Sequence, residues 1–148
     1  MSSVVKDIHD ELENTIQALF PTKSKSKYVW DITRNAHKKN ENLFSIRPSD
    51  LSSVAGVTKN ATIDQRFRFI LSNSFNDTPG NDQDLQDKIF DLFNNVSDLW
   101  NEAYRSKFGI VRVLVVSGFE CDEPEIDLEN RVVSIETRFT IKYRTEVV

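Results

Sequence analysis

The sequence predicts an α+β fold, with an antiparallel or mixed β-sheet of about four to five strands covered by one long α-helix and an N-terminal helix, in the order α-β-β-α-β-β. Three stretches carry this expectation. From Val133 to Tyr143 the odd positions read Val, Ile, Thr, Phe, Ile, Tyr and the even ones Ser134, Glu136, Arg138, Thr140, Lys142. That period of two describes a long strand with one face on a core and the other on water or a partner. Leu85, Ile89, Leu92, Phe93, Val96, Leu99, Trp100 and Ala103 recur at three- and four-residue spacings, which describes a helix. Val5, Ile8, Leu12, Ile16 and Leu19 repeat the helical spacing near the start.

In chain order, the first helix is expected over Ser3 to Phe20, capped by Ser2 or Ser3 and stopped by Pro21, with His9, Glu11, Glu13 and Gln17 on its exposed side. Thr22 to Lys27, TKSKSK, has the composition of a flexible connection. It opens a basic region, since Pro21 to Arg47 carries seven Lys or Arg against two acids, a balance of +5. Such a region suits a solvated loop or docking onto an acidic neighbour or DNA. Within it, Tyr28, Val29 and Trp30 suggest a short strand or anchoring segment.

Leu43 to Arg47 reads as a brief strand ended by Pro48, with Ser49 to Asn60 as a polar loop. Ala61 to Ser72 alternates again, Ile63, Gln65, Phe67, Phe69 and Leu71 against Thr62, Asp64, Arg66, Arg68 and Ile70. Asn73 to Gln83 gathers Asn, Asp, Pro and Gly into a turn-rich connection. The long helix is expected over Asp82 to Lys107, capped by Asn81 or Asp82 and closed by Gly109, with its whole apolar stripe, Phe93 and Trp100 included, in the core. Ile110 to Phe119 is a β-branched run bounded by glycines, predicted as a strand buried on both sides or nearly so. Glu120 to Asn130 holds six carboxylates in eleven residues and reads as a solvated acidic loop or partner surface. The final strand, 131–144, then closes a hairpin.

Composition narrows the function. With 148 residues, the chain forms one domain over 1–148 with one core. At 39% hydrophobic and 28% charged residues, it is not a disordered chain. A formal charge of −4 argues against a protein whose main task is neutralising nucleic-acid phosphates. One cysteine, Cys121, excludes an intrachain disulfide framework and suits cytoplasmic synthesis. The charged first twenty residues are neither a signal peptide nor a membrane span.

No catalytic signature stands out. The acidic segment lacks the spacing of a calcium loop and is interrupted by Pro124. His9 and His37 stand far apart in sequence without a zinc motif. Cys121 sits beside Asp122 and Glu123, whose charge disfavours a thiolate. Phosphate-binding and nucleophile-elbow glycine motifs are missing. The expectation is a protein that is not an enzyme, with no cofactor and no metal.

Two strings carry a resemblance: LFSIRPSDLSSVAGVTKNATIDQRFRFIL and, after the turn-rich gap and the long helix, IVRVLVVSGFECDEPEIDLENRVVSIETRFTIKYR. The pattern of a helix, a strand with IRP, a T-x-D-Q-x-F-x-F-I-L strand, a helix and a final hairpin ending in F-T-I-K-Y-R resembles the tail terminator proteins of tailed bacteriophages, also called tail-completion or head–tail joining proteins. It spans about residues 43–144, with the N-terminal helix in the expected place, and leaves the basic 21–40 stretch unmatched.

The resemblance implies a structural virion protein, made in the host cytoplasm and placed in the tail or neck. It would form a homohexameric ring that caps the tail tube, ends its polymerisation and meets neck or connector proteins, with the tail sheath as a further candidate partner. Genomic DNA would pass through the lumen without sequence-specific binding, and no membrane would be involved. Candidate contacts to tube, neck or lumen are the 49–60, 73–83 and 120–130 loops. A heterologous ring would set the basic Lys23, Lys25, Lys27, Arg34, Lys38 and Lys39 of one subunit against the acidic Glu120, Asp122, Glu123, Glu125, Asp127 and Glu129 of the next. Glu136, Arg138 and Lys142 on the charged sheet face form a second candidate seam. Two other readings remain: another neck component, such as a head-completion, stopper or connector adaptor protein, and a small α+β ligand-binding domain. The latter needs a cluster of convergent polar groups, which the sequence does not offer.

Overall fold

A computed structural model describes residues 4–25, 42–55, 61–76, 80 and 82–145, apart from the side chains of 52, 53 and 55. Its elements are α1 (Val4–Leu19), β1 (Ser24–Lys25), β2 (Leu43–Ala55), β3 (Thr62–Ser74), α2 (Gln83–Ser106), a 3-10 turn (Lys107–Gly109), β4 (Val113–Cys121), β5 (Glu125–Asp127) and β6 (Val132–Arg144). The fold is the expected α+β arrangement with the expected order of long elements. The short β1 and β5 bring the sheet to six strands, ordered β1-β2-β3-β6-β4 with β5 also on β6.

The alternating strand now has a location. β6 lies between β3 and β4, antiparallel to both, in a register that sets Phe67 beside Phe139 and Leu71 beside Ile135. Its odd residues Val133, Ile135, Phe139, Ile141 and Tyr143 enter one core with Phe67, Phe69 and Leu71 of β3 and Phe44 and Ile46 of β2. Ile8, Leu12 and Ile16 of α1 and Leu92, Val96, Leu99 and Ala103 of α2 join the same core. Both helices therefore cover one face of the sheet, and on the other face Leu43 and Ile70 form a small second buried cluster, with Ser45 and Ser134 buried beside it.

Several expectations are corrected. Pro48 does not end its strand: β2 runs on to Ala55, so residues 49–55 are strand and not loop, while 56–60 lie outside the described residues. β1 accompanies β2 only at Leu43 and Phe44, and the β2–β3 register shifts between Pro48 and Leu51 and again before Ser53. A proline is tolerated on such an open, bulged edge, because no complete ladder needs its missing N–H. Residues 22–25 are more ordered than their composition suggested, since Ser24 and Lys25 pair in parallel with β2. Tyr28 to Trp30 lie outside the described residues.

β4 is an edge strand, not one buried on both sides. Val113 and Val116 enter the core, whereas Val115 and Phe119 are exposed. A β-branched run signals strand preference, and that preference is shared by edge and centre. The β4–β6 register breaks twice, the second time between Ser117 and Glu120. Gly118 sits in that break at φ +66, and a Cβ there would lie 3.0 Å from Thr140 Oγ1.

On α2 the buried line is Leu92, Val96, Leu99 and Ala103, and Phe93 and Trp100 stand on an exposed flank. Asp82 precedes the helix without a side-chain cap bond, and Asn81 lies outside the described residues. The helix ends in three consecutive left-handed residues, Lys107, Phe108 and Gly109 at φ 51, 59 and 67, so glycine takes the third of these places and not the first. The turn drives Phe108 into the core, where its ring stacks on Phe69 at 5.6 Å. Asn73 and Ser74 belong to β3 and not to the following connection. No helix among the described residues is long and apolar enough to cross a membrane.

Candidate interaction surface on the charged sheet face

The second face of the sheet is built by the residues that alternate with the core, buried at Leu43, Ser45, Ile70 and Ser134 and partly exposed along its charged rows. Register brings Arg68, Arg138 and Glu120 into one row across β3, β6 and β4, with Arg66 beside Thr140 and Asp64 beside Lys142. Arg138 is the hub. Its guanidinium takes Asp122 in a two-point grip, Nη1 to Oδ2 at 2.8 Å and Nη2 to Oδ1 at 2.7 Å, and also donates to Glu120 and Glu136. Arg66 donates to Glu120 at 2.7 Å, and Arg68 to Glu136.

Three guanidiniums thus meet three carboxylates, and the patch is close to neutral despite its density of charge. Hydrogen bonds from Arg138 hold the Asp122 and Glu120 carboxyls below the usual range, with Arg66 adding to the effect on Glu120. The same bonds, led by Asp122, raise Arg138 further above its already high value. Planar forks of this kind fix geometry as well as charge. They fasten the end of β4, the strand with the broken register, to the centre of the sheet.

The predicted acidic segment is therefore not one solvated loop. Glu120, the last but one residue of β4, joins Asp122 in the network with Glu136 and Arg138, while Glu125 to Asp127 form β5. Asp127 accepts from Asn130 N–H at 3.1 Å and from its Nδ2 at 2.8 Å, closing the turn into β6. Glu123, Glu125 and Glu129 are exposed outside the network. Lys142 stands on the same face, two positions along β6 from Thr140. Sequence reasoning placed Arg66 and Arg68 on the polar face of their strand but not at a seam. Their partners lie 54 and 68 residues away, and only the strand order reveals them.

The basic candidates separate. Lys27, Arg34, Lys38 and Lys39 lie outside the described residues. Lys25 is exposed, with its Nζ 3.6 Å from Glu13. Lys23 is a correction: it is buried and is not a surface group. Its Nζ donates to the Ser72 carbonyl at 2.7 Å and to Asn73 Oδ1 at 2.5 Å, tying the start of β1 to the end of β3. Burial brings its pKa down to about 8, with Asp91 opposing.

That shift has a measurable sign. Between about pH 8 and pH 10 the unfolded chain holds the Lys23 proton and the folded chain does not, so stability rises with pH in that window. Urea unfolding should show wild type gaining about 2 kcal/mol relative to Lys23→Met between those values. The buried Tyr143, pushed up to about 12, acts in the opposite sense above pH 10, so the comparison stops there.

His9, Asp10 and Glu13 form a group whose ligand atoms lie within 4.8 Å of one another. His9 Nε2 donates to the Ile46 carbonyl at 2.8 Å, which ties α1 to β2. Both carboxylates already have a cation, Lys6 at 2.6 Å from Asp10 and Lys25 near Glu13. His9 and Glu13 are half-buried, not fully exposed as the helical pattern suggested. The group thus reads as a charged tie between helix and sheet. Burial raises the Cys121 thiol, which receives a contact from Thr137 Oγ1 at 3.8 Å and is not poised as a nucleophile. Comparison with known protein families and with curated proteins returns no match.

Proposed function

We propose that the chain is a non-enzymatic subunit of a homohexameric ring that caps the tail tube of a tailed bacteriophage, ends its polymerisation and joins the tail to the neck. The observation that carries the reading is the α-β-β-α-β-β order with both helices on one side of the sheet, the architecture that the resemblance at residues 43–144 calls for. The charged, partly exposed rows of the second sheet face give such a subunit a wall for assembly. Its arginines are spoken for by carboxylates of the same chain, so a wall of this kind does not grip DNA phosphates and is compatible with a passing genome. The exposed Glu123, Glu125 and Glu129 add repulsion toward DNA.

The test is negative-stain imaging of the protein mixed with its tail-tube protein, beside each alone. Rings seated at one end of tubes of fixed length are the expected result. Tubes of unregulated length with this protein unbound would overturn the reading and shift attention to a portal-side role in the neck.

A further inference from the structure

One group of side chains on α1 goes unused by a ring that caps a tube. His9, Asp10 and Glu13 bring an imidazole nitrogen and two carboxylate oxygens within 4.8 Å of one another. His9 and Glu13 stand one helical turn apart on the same face, and Asp10 follows His9 in the chain. Only 14% of the His9 side chain and 13% of the Glu13 side chain are exposed, so packing holds both in place, while Asp10 at 46% leaves one side open to solvent.

The proton on His9 decides what this group can do. A carbonyl only accepts, so the 2.8 Å bond to the Ile46 oxygen places a proton on Nε2. In the neutral ring Nδ1 then carries the lone pair, and it lies 3.5 Å from Asp10 Oδ1 and 3.7 Å from Glu13 Oε1. Three electron-pair donors gathered in this way repel one another unless a positive charge lies among them. A second proton on the ring is one answer, but both separations exceed the roughly 2.7–3.2 Å of a well-made hydrogen bond. They come closer to the edge of about 3.3 Å between ligands that share a tetrahedral ion with bonds near 2.0–2.1 Å. The neighbouring lysines leave the arrangement open. Lys6 holds Asp10 through Oδ2 and not through the Oδ1 beside His9, and Lys25 reaches Glu13 only at 3.6 Å. Both ammonium groups are exposed, where an ion pair is worth little and is readily given up.

We propose that His9 Nδ1, Asp10 Oδ1 and Glu13 Oε1 bind one divalent transition-metal ion of the zinc class, with water completing its coordination. A neutral imidazole and two carboxylates match the charge of a dication. The nitrogen ligand selects against Ca2+ and Mg2+, which take oxygen ligands and more of them. The Ile46 carbonyl on Nε2–H is the kind of outer partner that orients a ligating histidine and raises its basicity. Because that carbonyl belongs to β2, the ion strengthens the hold of α1 on the sheet. The site is independent of the terminator reading, and tube imaging does not bear on it.

The test uses the full chain carrying Cys121→Ser and His37→Gln, which removes its one thiol and its other imidazole. Calorimetric titration with zinc chloride should show one ion bound per chain, half-saturated below about 100 µM. A hundredfold excess over Kd should raise Tm by roughly 5 °C. His9→Gln and Glu13→Gln should each weaken binding at least about tenfold. So should Asp10→Asn, whose half-exposed position makes it the variant least able to disturb the fold. Millimolar Mg2+ should not compete. An affinity unmoved by Asp10→Asn and Glu13→Gln, or equal competition by Mg2+, would overturn the assignment. Absence of saturable zinc binding up to about 1 mM would overturn it too, and would leave His9 as an imidazolium tie only.

Discussion

Phe139→Ala is expected to destabilise the fold by about 4 kcal/mol, because a fully buried aromatic is removed from a core that cannot close over the gap. Phe139 lies at the centre of β6 and its ring meets four others: Phe69 at 5.5 Å, Phe119 at 5.5 Å, Tyr104 at 5.9 Å and Phe108 at 6.0 Å. These rings come from β3, β4, α2 and the turn after α2. One side chain therefore joins both neighbouring strands to the long helix, and rigid elements on every side limit collapse into the cavity. In a domain of this size the loss corresponds to a fall in Tm of roughly 10 °C. Phe119→Ala is the internal comparison, because that ring is 39% exposed and its removal opens no closed cavity. A Phe139→Ala midpoint close to that of Phe119→Ala would show that the four-ring cluster contributes little beyond ordinary burial.

The contrast between these two phenylalanines also shows what could be read in advance. Phe139 sits on the apolar side of an uninterrupted period-two pattern, and such a pattern fixes the face once the sheet has a core. Phe119 follows Gly118, where the β4 register breaks, and periodicity says nothing reliable past a bulge. Phe93 and Trp100 failed for a different reason. Three- and four-residue spacing defines a broad stripe, and the helix buries only the line through Leu92, Val96, Leu99 and Ala103. Lys23 carried no local signal, since its partners Ser72 and Asn73 come from a strand about fifty residues further on. The charged seam was half legible: Glu136 and Arg138 follow from alternation, but Arg66 and Arg68 join them only through the β3-β6-β4 order.

Arg138→Met should cost about 2 kcal/mol at neutral pH, less than a fully buried pair would because Asp122 is half exposed: it leaves Asp122 without its two-point partner and Glu136, which is little exposed, with Arg68 alone. Methionine keeps the length of the stem over the strand, so the loss reports charge and hydrogen bonding more than packing. The pH dependence separates this account from a simple packing defect. In the wild type, Asp122 and Glu120 have lowered pKa values, so their contribution is present above the ordinary carboxylate range and is lost as pH falls through the folded values. In the variant, carboxylates crowded together with less positive charge bind protons more readily, and protonation relieves their repulsion. The gap between wild type and Arg138→Met is thus widest near pH 7 and shrinks toward about pH 3. Urea unfolding at those two values measures it, and a gap that stays constant would assign the loss to packing. Amide exchange adds a local readout: Asp122 N–H, which bonds to the Glu136 carbonyl, should exchange faster in the variant while Phe67 and Phe69 on β3 keep their protection. Loosening confined to the end of β4 would show that the arginine hub holds this edge to the centre of the sheet.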